Sequence, residues 1–440
     1  MALFLAAAKP RILQSKPTKT IKAWCWYDWA NSSYSLVITS AIFPSYFLSL
    51  TTSGTQPAWW QSIGNSVLYA YLYSLASLMI LLLSPLFGSI ADYAGNKKKF
   101  MRLFSYTGAI SCAGLFFATG ESMVLTGALF LVSSTCYSLG VVFYNAYLPE
   151  IAAPADYDSV SAKGFAWGYL GGLLALILCL VLIRFAEPLG FPRDSIASAL
   201  PVRITFVLIG GWWWLFAAYA FKGLPPDSNT QPITRTIIAQ SYVRIGTAFR
   251  QARGHRIIGL FLLAFFFYNM GVTTIMGMSS VFATKTLHLT TEHLIGVILA
   301  LQVLAIAGSW LFVEVANRYN NIMAVRIALI LWVVICGIGY SVQNLTQFYG
   351  MASLVGLVMG GTQALSRSAF ATLIQGEQHE YATWFSVYDV LDKVGVVAGT
   401  FLFGWIEWLT GSMRASVATL SIFFITGLII LLSIKSPWKK

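Results

Sequence analysis

The sequence predicts an all-α polytopic membrane protein with twelve transmembrane helices in two six-helix bundles. Only 10% of the 440 residues are charged and 57% are apolar, whereas about a quarter of the residues in soluble domains are charged. The mean hydropathy is +0.71. The apolar residues gather into stretches of about 20, the length that crosses a bilayer as a helix. This composition excludes a soluble enzyme, a disordered protein and a disulfide-rich secreted module.

Twelve apolar stretches follow one another along the chain. They lie near 24–50, 63–90, 103–119, 123–147, 164–184, 203–222, 257–284, 294–316, 325–342, 347–373, 382–408 and 415–434. Lysine and arginine test the count, because they are enriched in cytoplasmic loops. With the N-terminus inside, 22 of them fall in cytoplasmic segments and five outside, namely Arg184, Arg193, Arg203, Lys285 and Arg414. This bias predicts twelve spans with both termini cytoplasmic.

Polar interruptions divide the chain into five predicted parts. These are a basic cytoplasmic tail (1–23), an N-terminal six-helix bundle (24–222), a cytoplasmic linker (223–256), a C-terminal six-helix bundle (257–434) and a cytoplasmic tail (435–440). In the linker, Ile238, Tyr242, Ile245 and Phe249 recur at helical spacing. They indicate an amphipathic helix on the inner leaflet, and an ordinary solvated linker is an equally good interpretation.

The two halves resemble each other weakly. Residues 26–30 read WYDWA and residues 267–271 read FYNMG, in corresponding positions of spans one and seven. Parallel six-helix repeats are typical of transporters whose substrate binds between the halves, near the middle of the membrane.

Neither the cysteines nor the histidines indicate a cofactor. The five cysteines are widely spaced in apolar stretches, with no CxxC pair, which favours cysteine as a small core residue. The four histidines fall in predicted loops or at their edges, and no HExxH or nucleotide-binding loop occurs. We therefore expect no cofactor, no metal site and no enzyme activity.

The loop between spans two and three has the most specific motif. Residues 88–99 read GSIADYAGNKKK. The glycines permit a tight turn, and Asp92 is expected to accept hydrogen bonds from the amides that open span three. The motif resembles the signature loop of the major facilitator superfamily, Gly-x-x-x-Asp-x-x-Gly followed by basic residues. The resemblance implies that Asp92 belongs to a gating interface.

Three further segments narrow the resemblance. They are 27–34 (YDWANSSY), 144–150 (YNAYLPE) and 360–368 (GGTQALSRS). They are similar to the vacuolar-effluxer-like permeases, the autophagy-related branch of the superfamily, which has many bacterial members. The resemblance runs from about residue 24 to the last span. It implies a secondary transporter, and fungal relatives export amino acids from the vacuole.

Polar side chains inside the spans are candidates for the substrate or proton pathway. A charged side chain at the bilayer centre costs roughly 2.5–3.5 kcal/mol, so those that persist usually face a cavity or a partner. The candidates are Asp28, Asn31 and Tyr34 in span one, Asn145 in span four, Asn269 in span seven and Gln363 in span ten. The alternative is that Asp28 caps a helix or pairs with Lys22, and that the amides only join helices.

Span eleven contains a second group of charges. Asp389, Asp392 and Lys393 share one helical face, and Asp389 and Lys393 have the spacing of an ion pair. Their net charge of minus one is expected to be balanced by Arg367 of span ten. We predict a charge network, together with Asp92, that gates transport; a static structural network is the alternative.

The sequence thus predicts a secondary active transporter of a small polar metabolite, with an amino acid as one candidate. Efflux is expected, and proton coupling is a hypothesis. The alternatives are a receptor, a lipid-translocating protein or a membrane-embedded enzyme on the same scaffold. We expect a monomer in the bacterial inner (plasma) membrane, in contact with lipid and its small-molecule substrate and without a nucleic-acid partner.

Overall fold

The computed structural model describes residues 18–50, 65–119, 122–192, 199–227, 243, 246–247, 250, 254–289, 291–376 and 380–434. The predicted linker helix, most of the N-terminal tail and the C-terminal tail lie outside these residues.

Twelve long helical segments run through the described residues. They are α1 (Thr18–Ser33, continued by the π-helix Tyr34–Ile42 and the α-helix Phe43–Ser49), α2 (Asn65–Ala94), α3 (Lys97–Gly114, followed by the 3-10 turn Leu115–Phe117), α4 (Met123–Ile151), α5 (Tyr157–Arg184, preceded by the 3-10 turn Pro154–Asp156), α6 (Leu200–Gly223), α7 (Arg256–Leu287), α8 (Thr291–Arg318), α9 (Asn321–Ser341), α10 (Leu345–Leu373), α11 (Tyr381–Thr410) and α12 (Met413–Leu432).

Several helices extend beyond the predicted apolar spans. Helix α1 begins at Thr18, before the predicted span at 24–50, so Asp28 lies nearly three turns inside it. Helix α3 begins at Lys97, and its first turn includes the basic residues that we had assigned to a loop. Apolar residues mark the part of a helix that contacts lipid. The helix itself can continue into water, because its backbone N–H and C=O groups still form hydrogen bonds there.

Ten of the described helices are long and apolar enough to cross a membrane. Helices α1 and α11 are the two predicted spans outside this set. Helix α1 has Lys19, Lys22 and Asp28 along its first turns and then a π-helical stretch, a rare conformation that is frequent at functional sites. Helix α11 contains the charges of span eleven. The count of twelve spans therefore stays a prediction.

The helices pack as two groups. Helices α1–α6 pack on one another, chiefly through α1 with α5 and α6, and α3 with α4 and α6. Helices α7–α12 do the same through α12 with α7 and α9, and α8 with α10. We call these groups the N-terminal and C-terminal bundles. Between the bundles, α2 and α4 contact α11, and α5 contacts α8 and α10.

Glycines on α5 set its distance from α1. A Cβ on Gly164 would overlap Trp24, one on Gly168 would overlap Asp28, and one on Gly171 would overlap the backbone of Trp29. The side chain of Asp28 is thereby held against a glycine surface. Small residues permit this close approach of two membrane helices.

Candidate functional site

Side chains of the two bundles meet at one end of the molecule, which we call the closed end. It is formed by the ends of α2, α4 and α10 and the beginnings of α3, α5 and α11. Here the Ser386 hydroxyl of α11 lies 2.9 Å from the Ser84 carbonyl of α2 and 2.6 Å from the Ala382 carbonyl of its own helix, and its one hydrogen is shared between these acceptors. A Cβ on Gly88 would overlap Ser386 and the Ala382 carbonyl, so glycine is required for α2 and α11 to pack this closely.

The Asp92 carboxylate, at the end of α2, caps the beginning of α11. It accepts hydrogen bonds from the backbone amides of Ala382 (3.1 Å) and Thr383 (2.6 Å) and from the Thr383 hydroxyl (2.8 Å). The prediction that Asp92 caps α3 is wrong. The first amides of a helix are unpaired and partly positive, and those of α11 lie beside Asp92 when the bundles meet.

The amides of α3 are bound by a residue that the sequence did not indicate. The Asp227 carboxylate, just after α6, accepts the backbone amides of Lys98 (2.7 Å) and Lys99 (3.0 Å). Lys97 binds Glu150 of α4 and lies 3.9 Å from Asp92. The motif loop is thus tied to α4, to α11 and to the segment that follows α6.

Arg367 of α10 is the most buried cation at the contact between the bundles, with 2% of its surface exposed. Its guanidinium donates to the Ser161 hydroxyl (2.9 Å) and carbonyl (2.7 Å) of α5 and to Asn145 Oδ1 of α4 (3.2 Å). The guanidinium also lies over three aromatic rings. Its Cζ is 4.1 Å from the ring centroid of Phe165, 4.8 Å from that of Trp24 and 5.1 Å from that of Tyr144. We call this group the arginine site.

The arginine site joins the bundles with neutral partners. All the hydrogen-bond acceptors and aromatic rings just described belong to the N-terminal bundle, whereas Arg367 belongs to the C-terminal bundle. Cation–π contacts are strong when they are desolvated. Among the ion pairs of described residues, none pairs Arg367 with the carboxylates of α11, so the expected balance between them is wrong. Arg367 reaches across the contact to α4 and α5.

Asp28 lies beside the arginine site, inside the N-terminal bundle. Its carboxylate accepts hydrogen bonds from the Ser32 hydroxyl (3.0 Å) and the Tyr144 hydroxyl (3.1 Å). Tyr144 in turn faces Arg367, which also interacts with Asp28 electrostatically. Asp28 therefore reaches Arg367 through Tyr144, and the alternative of a pair with Lys22 is not what the structure shows.

Asn31 and Tyr34 are buried within the N-terminal bundle. The Tyr34 hydroxyl shares hydrogen bonds with Ser133 (2.7 Å) and Ser134 (2.9 Å) of α4. Asn31 is also buried, and its Oδ1 has no hydrogen-bond partner among the described residues. Both residues follow Asp28 along α1, and the contacts of Tyr34 lie within the N-terminal bundle.

The charges of α11 form a group with Asn269 of α7, which we call the α11 charge cluster. Lys393 Nζ lies 2.7 Å from Asp392 Oδ2 and 3.9 Å from Asp389 Oδ1. Asn269 Nδ2 donates to Asp392 Oδ1 at 2.6 Å. The side chains of Asp392 and Lys393 are 24% and 21% exposed. The cluster lies near the middle of α11, and part of it is accessible.

Tyrosines of the N-terminal bundle face the C-terminal bundle at similar depth. The Tyr169 hydroxyl of α5 donates to Gln363 Oε1 of α10 at 2.6 Å. Tyr137 of α4 interacts electrostatically with Asp392 and Lys393, and all three side chains are partly exposed. Polar groups from both bundles therefore meet near mid-depth, which is suited to a small polar solute.

The sequence analysis placed Asn145 and Asn269 among the pathway candidates and Arg367 and the α11 charges in a separate gating network, whereas the structure pairs Asn145 with Arg367 and Asn269 with Asp392. It missed Ser161, Tyr137, Tyr144 and Tyr169. Among 21 tyrosines in an apolar chain, the sequence gives no signal for those that face the other bundle. Among the described residues, no group of histidine, cysteine, aspartate or glutamate could hold a metal ion.

Comparisons with known proteins agree with this architecture. The family described as vacuole effluxer Atg22 like matches residues 16–439. An uncharacterized MFS-type transporter of Bacillus subtilis, YxiO, is 31% identical over 415 residues, which are 94% of each chain. Autophagy-related protein 22-1 of Phaeosphaeria nodorum is 23% identical over 429 residues, 83% of this chain and 75% of the relative.

Solved transporter structures have the same fold. The human organic anion transporter MFSD10 (TETRAN) matches with a TM-score of 0.70 at 17% identity, covering 94% of this chain and 100% of that one. The major facilitator transporter FucP in the outward conformation matches with a TM-score of 0.67 at 12% identity, covering 94% and 97%. At these identities the likeness shows the fold alone.

The fold, the spanning helices and the relatives together describe a multi-pass membrane transporter and not an enzyme. The chain belongs to the vacuole effluxer Atg22-like family of the major facilitator superfamily.

Proposed function

We propose that this protein is a secondary active transporter that exports a small polar metabolite by alternating access, and that amino acids are the first substrates to test. The family description names an effluxer. Polar groups of both bundles meet near mid-depth, where transporters with repeated halves bind their substrates. Protons are the proposed coupling ion.

The location of the contacts between the bundles supports this proposal most directly. The hydrogen bonds that Asp92 accepts from the opposite bundle, and those that Arg367 and Ser386 donate to it, all lie at the closed end. Lys393 and Asp392, deeper in the molecule, are partly exposed. We interpret this arrangement as the state in which the closed end is shut and the site is reached from the opposite end.

The chemistry at mid-depth suits a zwitterion. The α11 charge cluster offers one ammonium group and two carboxylates, and Asn269, Gln363, Tyr137 and Tyr169 offer neutral donors and acceptors. An amino acid would place its carboxylate at Lys393 and its ammonium group at a carboxylate. A neutral sugar would leave these charges without new partners.

The distribution of charge supports a cytoplasmic closed end. Lys97, Lys98, Lys99 and Arg102 lie at the beginning of α3, and cytoplasmic segments of membrane proteins are enriched in lysine and arginine. The closed end is therefore proposed to face the cytoplasm, with both termini on that side and the chain in the bacterial inner membrane as a monomer.

Transport then requires that the contacts at the closed end break. Opening would withdraw Arg367 from Ser161 and Asn145, and Asp92 from the first turn of α11. Hydrogen bonds to charged groups contribute about 1.5–3 kcal/mol each, so the contacts of Arg367 and Asp92 are a large part of what holds the closed end shut. Two discrete packings of this kind are the basis of a switching transition.

A ligand screen followed by transport tests the proposal. Purified protein is heated with amino acids, short peptides and sugars, because a ligand at 100 times its Kd stabilises the native state by about 2.7 kcal/mol. Solutes that raise the melting temperature are then tested for uptake into proteoliposomes. Stabilisation by amino acids with uptake supports the proposal. Absence of stabilisation and of uptake for every one of these polar solutes would contradict it.

A further inference from the structure

We propose that Asp389, and not Asp28 or Asp392, binds the coupled proton, and that this protonation holds the closed end shut. The inference rests on the proposed alternating access and adds the proton-binding atom and its effect on the conformation.

The three membrane carboxylates differ in their hydrogen-bond partners. Asp28 accepts two hydrogen bonds, from Ser32 and Tyr144. Asp392 also accepts two, from Asn269 and Lys393. Asp389 is 8% exposed, and its Oδ2 has no hydrogen bond among the described residues. A buried carboxylate without donors is costly, whereas the same group protonated is neutral.

Lys393 does not compensate both carboxylates of its helix. Its ammonium group lies 2.7 Å from Asp392 and 3.9 Å from Asp389. Lys393 and Asp392 therefore form the closer pair, and Asp389 holds the excess negative charge of the cluster. One proton on Asp389 Oδ2 forms an O–H bond and makes the cluster neutral.

Ser84 of α2 is the neutral group that faces Asp389 across the contact between the bundles. The Ser84 hydroxyl is buried and, like Asp389 Oδ2, makes no hydrogen bond of normal geometry. Among the described residues, this hydroxyl is the one neutral donor that can turn toward the Asp389 carboxylate, and it is too weakly placed to offset the burial of that charge. The carbonyl of the same Ser84 accepts the hydrogen bond of Ser386, one turn before Asp389 on α11. The proton site thus adjoins a contact that must break when the closed end opens.

The other polar groups around Asp389 are engaged with different partners and do not take its place as the proton-binding group. From α2, Tyr73 interacts with Lys393, and from α4, Tyr137 interacts with Lys393 and Asp392. Helix α7 contributes Asn269, which is occupied by Asp392. On α11 itself, Tyr388 stacks on Phe265 at 3.9 Å between ring centroids. The charged residue of α12 is Arg414, at the end remote from the closed end.

The coupling follows from solvation. With the closed end shut, Asp389 is buried against α2, and the protonated form avoids the cost of a buried excess charge. When α2 and α11 separate, water reaches the carboxyl group, the O–H bond breaks and the proton passes to water on that side. Low pH should therefore favour the shut state. As pH rises, a larger fraction of molecules should have α2 and α11 separated at the closed end.

Distances between spin labels across the closed end test this inference. Ala155, before α5, and Gln375, after α10, are exposed on opposite bundles. They are changed to cysteine and labelled after the five buried native cysteines are replaced by alanine. Electron–electron resonance in proteoliposomes gives the shut and open populations from about pH 5 to 8.5. A spectroscopic distance avoids the pH dependence of thiol alkylation.

The inference predicts that the labelled parent protein, without further substitutions, shifts from short to long distances as pH rises. Asp389→Asn, a neutral isostere, should stay shut across the range, at least tenfold less open than the parent protein at pH 8.5. Ser84→Ala removes the neutral donor that favours the charged carboxylate, so protonation of Asp389 should persist further and the midpoint should move to higher pH. Asp28→Asn should keep the pH response, as should Glu314→Gln, which alters a carboxylate on α8 that is 57% exposed.

Three results would overturn the inference: distances that do not depend on pH, a response in Asp389→Asn equal to that of the parent protein, or loss of the response in Asp28→Asn. If Asp389→Asn does not fold, the midpoint of Ser84→Ala decides in its place. Arg367→Met separates this failure from failure of the proposed function. If the long distance appears in Arg367→Met without pH control, alternating access stands and the proton site is wrong. If no variant shows the long distance at any pH, both the proton site and alternating access are wrong.

Discussion

At the scale of single residues, Arg367 explains how a buried charge can join two bundles that must also separate. Its guanidinium has three hydrogen bonds to Ser161 and Asn145 and three aromatic rings around it. Its direct partners are neutral, and Asp28, the carboxylate with which Arg367 interacts electrostatically, keeps its hydrogen bonds to Ser32 and Tyr144 when Arg367 withdraws. A buried ion pair would be much more costly to break by removing one partner. The arginine site is therefore strong but releasable.

Replacing Arg367 tests this interpretation. Lysine keeps the charge but lacks the planar fork that binds Ser161 and Asn145 together. Loss of one hydrogen bond to a charged group costs about 1.5–3 kcal/mol, which is roughly a tenfold to hundredfold change in the ratio of shut to open molecules. The closed end should be open more often in Arg367→Lys than in the parent protein, and more often still in Arg367→Met. The readout is the rate at which maleimide modifies a cysteine introduced at Ala162, buried where α5 meets α8 and α10.

Arg326, the matched control, is on α9 and donates to carbonyls of Leu431 and Ile434 within its own bundle. Arg326→Lys should leave the modification rate of the introduced cysteine unchanged. Equal rates in Arg367→Met and the parent would contradict the assigned role of Arg367.

Asp92 allows a second prediction at this scale. Its carboxylate accepts three hydrogen bonds at the beginning of α11, where a negative charge contributes up to about 2 kcal/mol. Asp92→Asn keeps the size and removes the charge, so the closed end should open several-fold more often in the same cysteine assay. Asp227→Asn, which alters the cap of α3 within the N-terminal bundle, should not do so. The reverse order would restore the sequence-based assignment of Asp92 to α3.

The sequence predicted the identity of many of these residues but not their partners. Asp92 and Thr383 are 291 positions apart, and Arg367 and Ser161 are 206 apart. Periodicity along one helix gives the pairing of Asp389 with Lys393 because both lie on the same helix. It gives no information about which face of a helix meets the opposite bundle, and so Tyr144 and Ser161 were missed.

At the scale of helices, the contact between α2 and α11 depends on the absence of a side chain. Gly88 of α2 lies directly against Ser386 and Ala382 of α11, and the Ser84 carbonyl one turn earlier accepts the Ser386 hydroxyl. A Cβ at position 88 would overlap the backbone carbonyl of Ala382, which cannot rotate away as a flexible side chain can. Any larger residue at 88 must therefore separate the helices.

Gly88→Val should prevent the closed end from shutting. The protein should remain folded, because the substitution lies between the bundles and not inside one of them, and the introduced cysteine at Ala162 should react at least tenfold faster. Gly337→Val is the matched control, since Gly337 of α9 has open space where a Cβ would stand. Slow modification in Gly88→Val, equal to that in Gly337→Val, would show that α2 and α11 do not form the barrier.

Helix positions followed from apolar stretches, whereas helix ends did not. Helices α3 and α5 begin earlier than predicted, at Lys97 and Tyr157, because charged and polar residues continue a helix beyond the apolar part. The position of Trp213 likewise does not follow from composition, since it is fully buried inside the N-terminal bundle. Tryptophan is common at membrane interfaces, and only packing shows that this one lies in a core.

At the scale of the whole molecule, orientation in the membrane links the structure to the direction of transport. The lysines at the beginning of α3 lie at the closed end, whereas Arg414 and Lys285 lie at the opposite one. The bias toward one side was visible in the sequence, and the packing of the bundles was needed to show that this side is the one on which they meet.

Labelling from one side of the membrane tests the orientation. Ala155→Cys at the closed end and Ser341→Cys at the opposite end are both exposed positions. In intact cells, an impermeant maleimide should label Ser341→Cys and should label Ala155→Cys only after the membrane is made permeable. The opposite pattern would place the closed end outside and reverse the proposed direction.

The central claim is that the shut contacts at the closed end are one state of a transport cycle. Counterflow in proteoliposomes tests it most directly, using the polar solute that most raises the melting temperature. A vesicle loaded with unlabelled solute should accumulate labelled solute through the wild-type protein, and accumulation should fall at least tenfold in Gly88→Val and persist in Gly337→Val. Equal accumulation in all three, or none with any stabilising solute, would contradict alternating access at this contact.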